Sequence, residues 1–110
     1  MASQGRFRVA FNKTSTGTLI SAASSTTGRI CIWGFSWKAS AALTAISLVD
    51  TAGSPVTLWG AVDCLAGDGA VFPEGDYPLF ELATKGKDVN LAFTGTGNIG
   101  GHVVYSIEGL

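Results

Sequence analysis

Apolar and polar residues alternate with a period of two along most of this chain, most clearly in its last quarter. Val89, Leu91 and Phe93 alternate with Asn90 and Ala92, and Val103, Tyr105 and Ile107 alternate with Val104 and Ser106. Each set predicts a half-buried strand. The glycine-rich stretch between them predicts a turn, so the two are expected to pair as a hairpin that closes a sheet. Leu110 follows closely, and no further domain is expected after it. The longest alternation runs from Arg29 to Ser40. It places Cys31, Trp33, Phe35, Trp37 and Ala39 on one face and Ile32, Gly34, Ser36 and Lys38 on the other, a pattern no helix tolerates. Phe7, Val9 and Phe11 mark a first strand, with Arg6 and Arg8 on its wet or partner-facing side. The polar tract from Lys13 to Gly28 carries Leu19 and Ile20 as its sizeable apolar residues. It reads as a loop holding one short strand, or as an arm laid over a neighbour.

The middle of the chain continues in short extended pieces. Thr44, Ile46 and Leu48 fall on one face of a strand ending at Asp50, and Thr51-Ala-Gly-Ser-Pro55 predicts a turn into Val56 to Leu65. With the strand before them, these segments read as an antiparallel meander. Gly67-Asp-Gly69 predicts a turn and Val71-Phe72 a short extended piece. Pro73 to Pro78 predicts a loop, because prolines are excluded from central strands. Leu79 to Ala83 and a turn at Thr84 to Lys87 complete the series. The alanines between Ala39 and Ala45 suggest at most one helical turn, which their β-branched neighbours oppose. About eight short strands with frequent turn signals predict an all-β, antiparallel two-sheet sandwich, with a jelly roll preferred to a barrel. The chain reads as a single domain: residues 1–28 form a polar, weakly basic N-terminal strand or arm, and residues 29–110 the sandwich body.

Composition adds two constraints. Charged residues are 14% of the 110 residues against 46% hydrophobic, which argues against disorder and suggests that a partner covers some apolar surface. The net charge of −1 hides an asymmetry: Arg6, Arg8, Lys13, Arg29 and Lys38 precede Asp50 with no acid among them, whereas from Asp50 onward eight acids face Lys85 and Lys87. In a sandwich both halves of a chain enter both sheets, so the asymmetry is not read as a nucleic-acid tail. The pI near 5.6 and sparse basic residues also oppose nucleic-acid binding. A head-to-tail or shell-facing contact could use the asymmetry. Cys31 and Cys64 sit in apolar contexts and are expected as buried thiols, with a disulfide left open. No Cys/His cluster suggests a metal, and no apolar run is long enough for a membrane span. With no visible leader, a soluble product made in a cytoplasm is expected.

Candidate chemistry is sparse. A Ser/His/Asp triad would have to use His102, the one histidine, but no glycine-flanked nucleophile accompanies it, so a structural or surface role is expected. Asp63, Glu74, Asp76 and Glu81 offer carboxylates for glycoside hydrolysis or Ca2+, yet Gly67-Asp68-Gly69 and Glu74-Gly75-Asp76 are turn sequences first, without EF-hand spacing. No catalytic, cofactor or metal residue is assigned. Trp33, Trp37 and Trp59 raise the possibility of sugar stacking. Trp33, Phe35 and Trp37 share one alternating face, however, and with Trp59 they are assigned to the core or to a subunit interface.

Four stretches carry a family resemblance: Arg29-Ile-Cys-Ile-Trp-Gly-Phe-Ser-Trp-Lys-Ala-Ser-Ala-Ala42, Thr57-Leu-Trp-Gly60, Leu79-Phe-Glu-Leu-Ala-Thr-Lys-Gly-Lys-Asp-Val-Asn-Leu91 and Gly100-Gly-His-Val-Val-Tyr105. In order and type they resemble the strand-and-turn patterns of small β-sandwich (jelly-roll) head decoration, or cement, proteins of tailed bacteriophages. The resemblance spans roughly residues 29 to 107 and leaves the polar N-terminal tract unexplained; Ile99 stands where the family pattern has valine. It implies a virion structural protein without an active site, made in the host cytoplasm and seated on the capsid surface. Such proteins commonly bind the major capsid protein as a homotrimer, bridging capsid subunits. On that expectation Arg6, Arg8, Lys13 and Arg29 are candidate contacts to an acidic capsid surface. The alternative is a receptor- or glycan-binding module of a tail fibre or baseplate, working through Trp59 or Tyr77. A hydrolase centred on His102 is a third and weaker reading.

Overall fold

The computed structural model describes residues 5–21, 28–51, 57–82 and 87–108, and it is all-β. The strands are β1 (Phe7–Lys13), β2 (Gly17–Ile20), β3 (Arg29–Ala39), β4 (Leu43–Asp50), β5 (Thr57–Cys64), β6 (Gly69–Phe72), β7 (Phe80–Glu81), β8 (Val89–Thr94) and β9 (Ile99–Glu108). They form two antiparallel sheets. One has the order β1-β9-β3-β6, with β7 also paired to β3, and the other the order β2-β8-β4-β5. The partners are nested: β1 with β9, β2 with β8, β3 with β6 and β7, β4 with β5. A long folded-over ribbon wrapped in this way, with most consecutive strands changing sheet, is a jelly-roll sandwich. Nine strands stand where about eight are expected, because β6 and β7 are two pieces of one edge interrupted by residues 73–79.

This topology corrects two local expectations. The strands of the last quarter do not pair with each other: β8 lies between β2 and β4, and β9 between β1 and β3, in the opposite sheet. The glycine-rich turn is a corner between sheets, made by Gly95 (φ 125°) and Gly97 (φ 150°), values that side-chain-bearing residues rarely adopt. Likewise β3, β4 and β5 are no meander. Only β4 and β5 are hairpin neighbours, and β3 belongs to the other layer. Alternation identifies a strand's faces but is silent on its partners.

The interior is lined by Ile20, Ile30, Ile32, Phe35, Trp37, Leu43, Ile46, Leu48, Leu82, Val89, Leu91, Phe93, Ile99 and Val103. At one end the aromatic rings cluster. Phe35 stacks with Phe11 and Phe72, and Trp59 meets Phe35 and Phe72 edge-on and tilts against Trp37. Phe35, Trp37 and Trp59 therefore lie in or against the core of the sandwich.

Trp33 does not. The register of β3 on β9 slips between Ile32 and Gly34, so Ile30 and Ile32 point inward before the bulge and Phe35, Trp37 and Ala39 after it. An extra residue in one strand exchanges its two faces. The single apolar face expected from Cys31 to Ala39 is thus two half-faces, and Cys31 and Trp33 sit on the outside of the sheet. A second slip occurs in β4, where Ala45 adopts a left-handed conformation (φ 54°) and donates its N–H to Asp63 Oδ1 at 3.0 Å. Leu43, and not Thr44, consequently joins Ile46 and Leu48 inside.

Candidate functional site: the outer face of the β1-β9-β3-β6 sheet

Pairing registers fix which side chains share this outer face. Asn12, Gly100, Lys38 and Gly69 form one row across the four strands; Ala10, His102, Ser36 and Val71 form the next; Arg8, Val104 and Gly34 form the third. Their neighbours Val9, Phe11, Phe35, Trp37, Ala70 and Phe72 turn inward, as the pleat requires.

The third row is covered by the segment that follows β6. Glu74 reaches over Gly34, where an added Cβ would already meet the Glu74 Cβ at 3.4 Å. Its carboxylate accepts hydrogen bonds from Arg6 (2.6 Å) and Arg8 (2.7 Å), one on each oxygen. Arg6 also donates to the Gly75 carbonyl at 3.4 Å. The Arg6 bond first, and then that from Arg8, holds the Glu74 carboxyl below its ordinary range. The Arg6 guanidinium lies over the Trp33 indole, 3.8 Å from the ring centre. The Trp33 Nε1–H donates to Ser106 Oγ (2.8 Å), whose hydroxyl donates to Glu108 Oε2 (2.6 Å). Arg29 lies 3.9 Å from Glu81 at the lower end. Burial first, then the Glu81 and Glu108 carboxylates, pushes the Cys31 thiol up to about 11, against a smaller opposing effect of Arg29. A thiol so protonated is a poor nucleophile.

Of the four basic residues assigned to an outside contact, Arg6 and Arg8 are bonded to Glu74, Arg29 lies beside Glu81, and Lys13 ends β1 apart from them. These three ion pairs each join the basic half of the chain to the acidic half, and they engage three of the five basic residues but two of the eight acids. Trp33 is held beneath Arg6 and Trp59 packs on other rings. Tyr77 is 83% exposed.

Where the covering segment stops, the face is shallow and open. Three hollows of about 540, 410 and 170 Å3 adjoin one another along β3, sharing Ser36, Lys38, Val71 and Gly100 among their linings. The middle-sized one runs over the edge to Asn12 and Asn98, where Asn98 Nδ2 donates to Asn12 Oδ1 (2.6 Å) and the Asn98 N–H donates to Ser40 Oγ (2.9 Å). The backbone N–H of His102 donates to Ser36 Oγ at 3.3 Å, and its imidazole stands exposed on the face. Among the described residues no group of three or more His, Cys, Asp or Glu side chains could hold a metal, and Cys31 and Cys64 are free thiols. Sequence reasoning missed Glu74, Ser36 and Lys38 as members of one surface. The period of two marks the outward residues of each strand, but only the registers show that those of β1, β3, β6 and β9 share a face. Comparison of the chain with known protein families, curated proteins and solved structures finds no match.

Proposed function

We propose that this protein is a non-enzymatic docking module, specifically a decoration protein that binds an assembled tailed-phage head and stabilises it by bridging capsid subunits. The observation that supports this reading is how the outer face of the first sheet is arranged. Six of its polar groups, Arg6, Arg8, Glu74, Trp33, Ser106 and Glu108, are linked to one another and brace the strands. What lies beside them is broad and shallow, suited to another protein surface more than to enclosing a small substrate. The jelly-roll order of the strands and the family resemblance over roughly residues 29 to 107 point the same way. Binding only to the assembled shell would lower its free energy by RT ln(1 + [L]/Kd) per site.

The test is co-sedimentation of purified protein with expanded, decoration-free heads, together with its mass in solution by light scattering. Saturable binding and a trimeric mass are expected. A monomer that leaves the heads bare would end the proposal. Glycan-array binding lost in Tyr77→Ala, without affinity for heads, would establish the tail-fibre alternative in its place.

A further inference from the structure

The upper outer face of the first sheet carries an excess of positive charge on a chain that is negative overall. Arg6, Arg8 and Lys38 stand against two carboxylates, Glu74 and Asp68 of the turn beside Lys38, a balance of +1, whereas the whole chain carries −1. At the lower end of the same face Arg29 is outnumbered by Glu81 and Glu108. The Arg6 and Arg8 charges are shared with Glu74. Lys38 is exposed and makes no ion pair with any described residue. Asp68, in the nearby turn, accepts the Leu65 N–H on Oδ2 at 2.9 Å and forms no ion pair with Lys38.

The surroundings of Lys38 indicate what could approach it. Gly69 and Gly100 flank it in its own row and put no side chain beside it, and the next row adds the small Ala10 and Ser36 with the exposed His102 between them. Val71, 75% exposed, supplies an apolar contact at the edge. A point cation and an exposed valine on a flat, glycine-lined floor suit a protein surface that brings carboxylates to the lysine and packs closely around it. An enclosed small anion would need converging donors, and these hollows are open.

We infer that the region around Lys38, bounded by Asn12, Ser36, Val71, Gly100 and His102, is the docking surface of this module and that its partner presents an acidic protein surface there. This identification of the surface rests on the docking reading above. It moves the contact away from Arg6, Arg8 and Arg29, whose charges are engaged within the chain.

The experiment is an amide chemical-shift titration of the 15N-labelled full chain with a hexaglutamate peptide, at low and at high salt. Shifts should concentrate at Ser36, Lys38, Gly100, Gly101 and His102 and fade as salt screens the attraction. Lys38→Glu should weaken the response about ten-fold, because an exposed attraction becomes a repulsion. Ala10→Glu, which adds a carboxylate to the same face and removes no contact, should weaken it similarly. Thr18→Glu, exposed on the other sheet, should leave it intact. Shifts that map to the other sheet, that survive Lys38→Glu and Ala10→Glu, or that appear at this face on concentrating the protein without peptide, would overturn the inference; the last result would assign the face to a second copy of the chain. Head binding read in parallel separates the two ideas. Heads that bind Lys38→Glu as tightly as the unaltered protein refute this surface but leave the decoration reading standing. Heads that bind neither refute the decoration reading, and the peptide map still decides the surface.

Discussion

Gly100 and Gly101 are neighbours in the same strand, and replacing each with alanine should give opposite results. A Cβ on Gly101 would collide with the carbonyl oxygen of Ser36 and lie 2.7 Å from the Ser36 carbonyl carbon and 3.0 Å from Trp37 Cα. Ordinary contact begins at 3.4 Å, so the carbonyl carbon alone would require β3 and β9 to part by about 0.7 Å at that point, and the oxygen by more. An N–H···O bond of about 2.9 Å stretched by that amount leaves the range of a useful hydrogen bond. Two such bonds at about 0.5–1.5 kcal/mol each cost about 1–3 kcal/mol, similar to the usual cost of forcing a methyl group into a packed site. Neighbouring side chains cannot relieve the clash, because the obstructing atoms belong to the backbone of a central strand. A loss of about 1–3 kcal/mol, from a typical total of about 5–15, should lower the melting temperature by about 5–20 °C. A Cβ on Gly100, by contrast, would come no nearer than 3.4 Å to the Phe11 carbonyl oxygen and 3.8 Å to Asn12 Oδ1. Gly100→Ala should be neutral or stabilise by a few tenths of a kcal/mol, since it removes freedom from the unfolded chain. Thermal unfolding followed by circular dichroism, with urea titrations at fixed temperature, measures both. Equal effects from the two variants, or a Gly101→Ala protein as stable as the parent, would refute the close approach of β9 to β3.

Three further outcomes follow from other parts of the molecule. Ile32→Ala should cost about 2–5 kcal/mol and Trp33→Phe only about 1 kcal/mol in urea unfolding, because the bulge buries Ile32 and leaves Trp33 outside with a hydrogen bond to lose; the reverse order would place Trp33 in the core. Glu74 has a folded-state value below its ordinary 4.5, so its contribution is present above that pH and is lost as pH falls through the lowered value. The stability gap between the parent and Glu74→Gln should therefore be visible at pH 7 and close in strong acid, and a gap that widens on acidification would contradict the Arg6–Glu74–Arg8 arrangement. In Cys64→Ser, the thiol of Cys31, pushed up to about 11, should resist Ellman's reagent at pH 8 until denaturant is added; rapid labelling of the native protein would show that the thiol is not held buried.

Much of the fold is legible in the sequence because a period of two leaves little room for anything but strands. The all-β class, the two-sheet sandwich and most strand positions follow from that alternation and from the placement of glycine and proline. The inward set of β8, Val89, Leu91 and Phe93, is as the alternation has it. The candidate site was far less legible. Lys38 and His102 are 64 positions apart in sequence and stand in adjacent rows of neighbouring strands. Glu74 reads as a turn residue, and only the fold brings it across Gly34 to Arg6 and Arg8.

The sequence by itself determined that this chain forms strands, which of their residues are apolar, and where the chain must turn, because these depend on local sterics and on the spacing of side chains along one segment. Only the tertiary structure decided which strands pair, where a bulge exchanges the faces of β3, and which charges cancel. A bulge is a mismatch between two strands, and an ion pair between distant residues exists only once the sheets have packed, so neither can be written in the alternation of a single segment. Trp33 shows the difference most plainly. One slip of register between β3 and β9 turns it outward, beneath the guanidinium of Arg6.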